Sequence, residues 1–126
     1  MSPEAINYMS IAEATLERAE RNFLAEIYED AARNAYIAAL NASRAIIFHK
    51  TGLSTKTHQG ARGKLFQLIY EGLPFPKDAA DFLAKGFDMK QDVDYGPEII
   101  FVTREEAQEY LKRAAAFLAA AKKICE

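Results

Sequence analysis

The chain has 126 residues, of which half are hydrophobic and 27% charged, and its formal net charge is −2. That length suits a single domain, residues 1–126, with a genuine core, and the apolar share argues against disorder. The faint acidic balance excludes a generic nucleic-acid coat protein, so any RNA contact requires a local basic patch.

Ser2-Pro3-Glu4 starts the first helix with a capping hydroxyl, a proline in the first turn and an acid at the positive end of the dipole. Ile6, Met9, Ala12, Leu16, Ala19 and Phe23 step by three and four, the pattern of one apolar stripe. A short joint over 25–27 leads into a long second helix, Tyr28 to Phe48, and so makes the two helices antiparallel neighbours. Along this second helix Tyr28, Ala32, Ala35, Tyr36, Ala39, Ala42 and Ile46, flanked by Ala31, Ala38 and Ala45, form an apolar arc wide enough for several neighbours. Its alanines let those neighbours approach toward the short end of the roughly 8–10 Å interaxial range. Asp30, Arg33, Asn34, Asn41 and Arg44 share the remaining arc. On an enveloped helix that stripe is a candidate dimer seam or groove, with Tyr28 and Tyr36 as anchors, and its plainer reading is solvated surface. Gly52 suits the left-handed residue that ends the helix.

Thr55 or Thr57 can cap a third helix that runs to about Glu71 with Leu65, Leu68 and Ile69 inward. Gly72-Leu-Pro-Phe-Pro76 breaks it. Lys77 to about Met89 forms a shorter helix carrying Ala79, Phe82 and Leu83 and weakened by Gly86. Gly96-Pro97 is a turn, and Glu98 to Val102 is an extended segment covering the bundle. Thr103-Arg-Glu-Glu106 is a capping box, and Ala107, Tyr110, Leu111, Ala114, Phe117, Leu118 and Ala121 mark the last helix. The fold class is all-α: an antiparallel up-and-down bundle of four to five helices. No apolar run approaches the roughly 20 residues that span a bilayer, and the N-terminus lacks the pattern of a secretory signal. Cys125 is the only cysteine, so no intrachain disulfide forms. A cytoplasmic protein without membrane contact is the expectation.

E-D-A-A-R-N-A-Y at Glu29, A-x-x-A-S-R-A ending at Ala45, and K-T-H-Q-G from Lys56 to Gly60 occur in that order. M-K-Q-D-V-D-Y from Met89 to Tyr95 and the Glu-led helix from Thr103 follow. As an ordered set, from about Glu4 to Lys122, they resemble small prokaryotic proteins of the HEPN domain family. The resemblance implies a helical bundle, often a homodimer, associated with nucleotides or RNA. It also implies a nucleotidyltransferase protein as partner, as in toxin–antitoxin modules.

Ribonucleases of that family carry an R-x4–6-H motif. Arg44-A-I-I-F-His49 meets the spacing, but five residues of regular helix turn the two side chains about 140° apart. At the matching location, Lys90 to Tyr95, lysine replaces arginine and no histidine follows. Imidazole is the side chain whose ordinary pKa lies near neutrality, and lysine cannot grip a phosphate bidentately. Lys90, Asp94 and Tyr95 are therefore a candidate family-motif region whose plainer reading is a surface ion pair with a docked ring. No catalytic residue is assigned, and the balance leans away from an enzyme.

Lys56, Thr57, His58 and Arg62 are the candidate phosphate or nucleotide contacts, because free backbone N–H groups and the dipole favour anions at a helix N-terminus. Their plainer reading is a histidine bonded to a neighbouring helix beside glycines that permit close packing. Gly60-A-R-Gly63 matches the loop of KH domains, but the sheet such a domain needs has no strands here. His49, His58 and Cys125 lack zinc-ligand spacing, so neither metal nor cofactor is expected. The leading expectation is a dimeric nucleotide- or RNA-associated module. Its rivals are a metal-independent endoribonuclease using Arg44, Lys90 or His58, and a dimerisation scaffold that binds no nucleotide.

Overall fold

A computed structural model of the chain describes residues 1–96 and 101–126. It contains five helices: α1 (Pro3–Leu24), α2 (Tyr28–Thr51), α3 (His58–Tyr70), α4 (Lys77–Tyr95) and α5 (Arg104–Cys125). Among the described residues there is no strand. Pro97 of the expected Gly96-Pro97 turn and residues 98–100 of the expected extended segment lie outside the described residues. Of that segment, Phe101 is exposed and Val102 is buried with Ala31, Ala32 and Ala107.

The helix ends follow local chemistry. Ser2 Oγ accepts from the Ala5 N–H at 3.2 Å with Pro3 in the first turn. Glu26 takes φ 63° in the joint between α1 and α2, and Gly52 ends α2 at φ 73°. Thr57, rather than Thr55, caps α3 by accepting from the Gly60 N–H at 2.8 Å. Thr103 and Glu106 close the capping box of α5 at 3.1 and 3.2 Å.

The second helix is the axis of the bundle, in contact with all four others. Its alanines at 31, 32, 35, 38, 39, 42 and 45 are fully buried, with Tyr36, Ile46 and Ile47 between them. Tyr8 packs on Phe48 and Asn22 bonds Asn34, which fixes α1 antiparallel to α2. Arg104 lies over the Phe23 ring and Lys122 pairs with Glu13, so α5 is antiparallel to α1. Edge-on pairs Phe75–Phe117 and Phe82–Tyr110 lock α5 to the segment before α4 and to α4 itself.

Two sequence expectations need correction. The α1 contact line runs through Ala5, Met9, Ala12 and Ala19, whereas Ile6 is 50% exposed. Small residues sit where α1 meets its neighbours most closely, and the branched side chain is displaced to the rim. The fourth helix does not stop near Met89 but continues to Tyr95. Its last turns are held by the Lys90–Asp94 ion pair and by Arg33 reaching across from α2.

Candidate functional site

Tyr36 is the keystone of the polar face. Its ring is 1% exposed, yet its hydroxyl reaches His58 Nδ1 at 2.7 Å, and the two rings stack 5.7 Å apart. The Phe87 ring on α4 lies 5.5 Å from the same imidazole, tilted by 55°. Gly86 makes this approach possible, because a Cβ there would lie 2.4 Å from Tyr36 Cδ1. The glycine that reads in sequence as a helix weakener is the point where α4 seats on α2.

Positive charge converges on this pair from three helices. His58 is the first residue of α3, and Arg62 follows one turn later. Burial, then the charges of Lys90 and Arg44, hold the His58 pKa below its ordinary 6.5, so the ring is neutral at pH 7. Burial pushes the Tyr36 hydroxyl well above its ordinary value despite the opposing fields of Arg44 and Arg62, so it keeps its proton. Arg44 Nε is buried and has no hydrogen-bond partner among the described residues.

Next to this centre runs an ion chain from α2 to α4. Asp30 binds Arg33 at 2.8 Å, Arg33 binds Asp94 at 3.1 Å, and Asp94 binds Lys90 at 2.7 Å. The Lys90 hydrogen bond is the main cause of the lowered Asp94 pKa, and burial opposes it. Lys90 also lies 5.7 Å from the centre of the Tyr95 ring. Arg33, Arg44, Arg62 and Lys90 thus face two carboxylates, a local cationic surplus on a chain whose net charge is −2.

The structure gathers residues that are far apart in sequence. His58, Arg62, Lys90 and Arg44 stand around Tyr36, and Asp94, Arg33 and Asp30 extend the same face. Lys56 and Thr57 are exposed, and Thr57 spends its hydroxyl on the α3 cap. Tyr95 is 77% exposed at the end of α4. The polar stripe of α2 is divided: Asn34 turns to Asn22 on α1 at 2.8 Å, while Asn41 is 8% exposed and donates to the Ile37 carbonyl. Sequence reasoning missed the parts played by Tyr36 and Gly86. Both lie on core faces: the meeting of α2 with α3 gives the Tyr36 hydroxyl its partner, and the meeting of α2 with α4 gives Gly86 its role.

The HEPN domain model matches residues 6–124. The chain belongs to the HEPN domain family. It is similar to a UPF0332 protein of Archaeoglobus fulgidus, with 30% identity over 113 residues, covering 88% of this chain and 86% of that protein. The helical bundle is the architecture the family implies, and in this HEPN protein the cationic face lies on its α2–α3–α4 side. Among the described residues no helix is long and apolar enough to cross a membrane, and no group of three His, Cys, Asp or Glu could hold a metal ion.

Proposed function

We propose that this HEPN bundle binds the phosphate backbone of RNA, or of a nucleotide, on the face where α2, α3 and α4 meet. The observation that carries this reading is the convergence of Arg44, Arg62 and Lys90 on a neutral His58, with the Arg44 Nε unpartnered among the described residues. A phosphate would give that N–H an acceptor and meet the free N–H groups of the first turn of α3. We further propose a homodimer with a nucleotidyltransferase partner, in a toxin–antitoxin arrangement, as the setting for this binding.

Binding of a labelled single-stranded oligoribonucleotide is measured by fluorescence anisotropy across a salt series. Arg44→Ala and Arg62→Ala each weaken binding and lower the slope of log affinity against log salt by about 0.7 for each phosphate no longer neutralised. Equal affinity and slope in wild type and the double variant would refute the reading. Sedimentation of the same protein at micromolar concentration separates dimer from monomer.

One observation favours a second reading, metal-independent RNA cleavage. His58 is neutral at pH 7 and bonded through Nδ1 to the Tyr36 hydroxyl, and in the tautomer whose proton sits on Nδ1 its Nε2 has the free lone pair that a general base requires. Incubation with transfer RNA discriminates: cleavage by wild type that disappears in His58→Ala supports it, and intact RNA in both rules it out.

A further inference from the structure

The geometry points to a base-stacking subsite for single-stranded RNA in the groove along α3, continuous with the phosphate contacts at His58 and Arg62. The inference rests on the RNA-binding reading of the cationic face and names the form of RNA that face takes.

His58, Arg62, Phe66 and Tyr70 recur at steps of four, from the first residue of α3 to its last. Each step drifts about 40° around the helix, so over its roughly 18 Å the row winds through about 120°, from His58 packed on Tyr36 to the exposed Tyr70. Its first half is basic and its second half aromatic. The aromatic half belongs to a groove lined by Gly63, Phe66, Gln67, Ile69, Tyr70 and, from the start of α4, Lys77.

Phe66 and Ile69 are half-buried against the core and hold the groove in place, whereas Tyr70 is 93% exposed. A Cβ at Gly63 would meet nothing within 4 Å, so the groove is open there. A large aromatic ring left this bare contributes little to the fold. Lys77 lines the groove and Arg62 stands next to its lining residue Gly63 on α3, and neither cation joins an ion pair among the described residues. The carboxylate of Glu71 is held by the Gln67 amide at 3.1 Å.

A flat apolar body with an anion attached fits this surface: a nucleobase on Tyr70 and Phe66, with its phosphates beside Lys77 and along Arg62 to His58. Stacking on aromatic side chains tolerates any base, since every base has a π-face. A duplex keeps its base faces inside the helix and cannot offer them to Tyr70, which selects single strands.

Anisotropy titrations of two labelled probes, an octaribonucleotide and an abasic sugar-phosphate oligomer of the same length, test the inference. Tyr70 is exposed, so Tyr70→Ala folds as wild type does, which circular dichroism verifies. Tyr70→Ala is expected to weaken octanucleotide binding about tenfold, within the roughly 5- to 150-fold range for removal of one stack, and to leave abasic binding unchanged. Tyr70→Phe retains wild-type affinity, and Arg62→Ala weakens both probes. Equal binding of the two probes by wild type, with Arg62→Ala still harmful, overturns the stacking groove and leaves the cationic face standing. Wild type that binds neither probe overturns both. Tyr70→Ala that changes the sedimenting mass but not RNA affinity makes the groove a protein contact and also overturns the inference.

Discussion

Substituting Gly86 by alanine adds one methyl group to a helix, and propensity alone would stabilise that helix by about 1 kcal/mol. The site reverses the sign. The new carbon would lie 2.4 Å from Tyr36 Cδ1, 2.9 Å from Cγ and 3.0 Å from Cβ, so it meets the root of the ring rather than a flexible end. Tyr36 cannot swing aside, because its ring is buried, stacked on His58 and tethered through its hydroxyl. Either α4 backs away from α2 or the ring leaves its rotamer, and overpacking of this kind costs about 1–3 kcal/mol. Loss of the Tyr36–His58 hydrogen bond adds about 1 kcal/mol. Against the propensity gain, the net is a destabilisation of about 1–3 kcal/mol. For a domain of this size that lowers Tm by roughly 4–12 °C. Gly63→Ala is the internal control: it too is helical, but its Cβ meets nothing within 4 Å, so it keeps the propensity gain and raises Tm by a few degrees. Calorimetric melts of the three proteins decide the matter. A Gly86→Ala protein that melts at or above wild type would refute the account of how α4 is seated.

The bundle was legible because its signals are local. The Ser2-Pro3 start, the Gly52 stop, the Thr103–Glu106 box and the alanine arc of α2 each act within a turn or two, and each appears where the residues predict. The same logic explains the misplaced end of α4. Nothing within Lys77 to Tyr95 announces that Asp94 has a partner 61 residues earlier at Arg33, and that contact anchors the final turns. The polar face was legible only in pieces. Lys56–Arg62, Lys90–Tyr95 and the α2 stripe are three separate groups in sequence, and their union depends on α3 and α4 flanking the same side of α2. Tyr36 illustrates the limit. Helical periodicity assigns it correctly to a buried face, but periodicity carries no information about where a hydroxyl at the edge of that face finds its partner. Gly86 shows the converse: a residue without a side chain gives no pattern at all, and its meaning lies in the ring that occupies the vacated space.

Tyr36→Phe keeps the ring packing and deletes the 2.7 Å hydrogen bond to His58, so chemical denaturation should show a loss of about 0.5–1.5 kcal/mol; no loss would mean the bond contributes nothing. Acidification tests His58 directly. Its folded pKa lies below 6.5, so the unfolded chain takes up the proton first and stability falls as pH drops from neutrality through 6.5 toward the folded value. His58→Gln should flatten that part of the stability–pH curve, and an unchanged slope would remove His58 as its source. At lower pH the sign has a second origin: Asp94 is held below its ordinary 3.8, so its contribution is present above that value and fades only as pH falls further, and Asp94→Asn abolishes this late loss. Asp94→Asn also separates stability from binding. The pairs it breaks are partly exposed, with 18% of the Asp94 side chain accessible, so the cost should be about 1 kcal/mol or less. The same change removes one of the two carboxylates on the cationic face and frees Lys90 and Arg33, so RNA affinity should rise and fall more steeply with salt. Weaker RNA binding by a well-folded Asp94→Asn protein would show that the ion chain is needed to shape the face, and that charge surplus alone does not account for binding there.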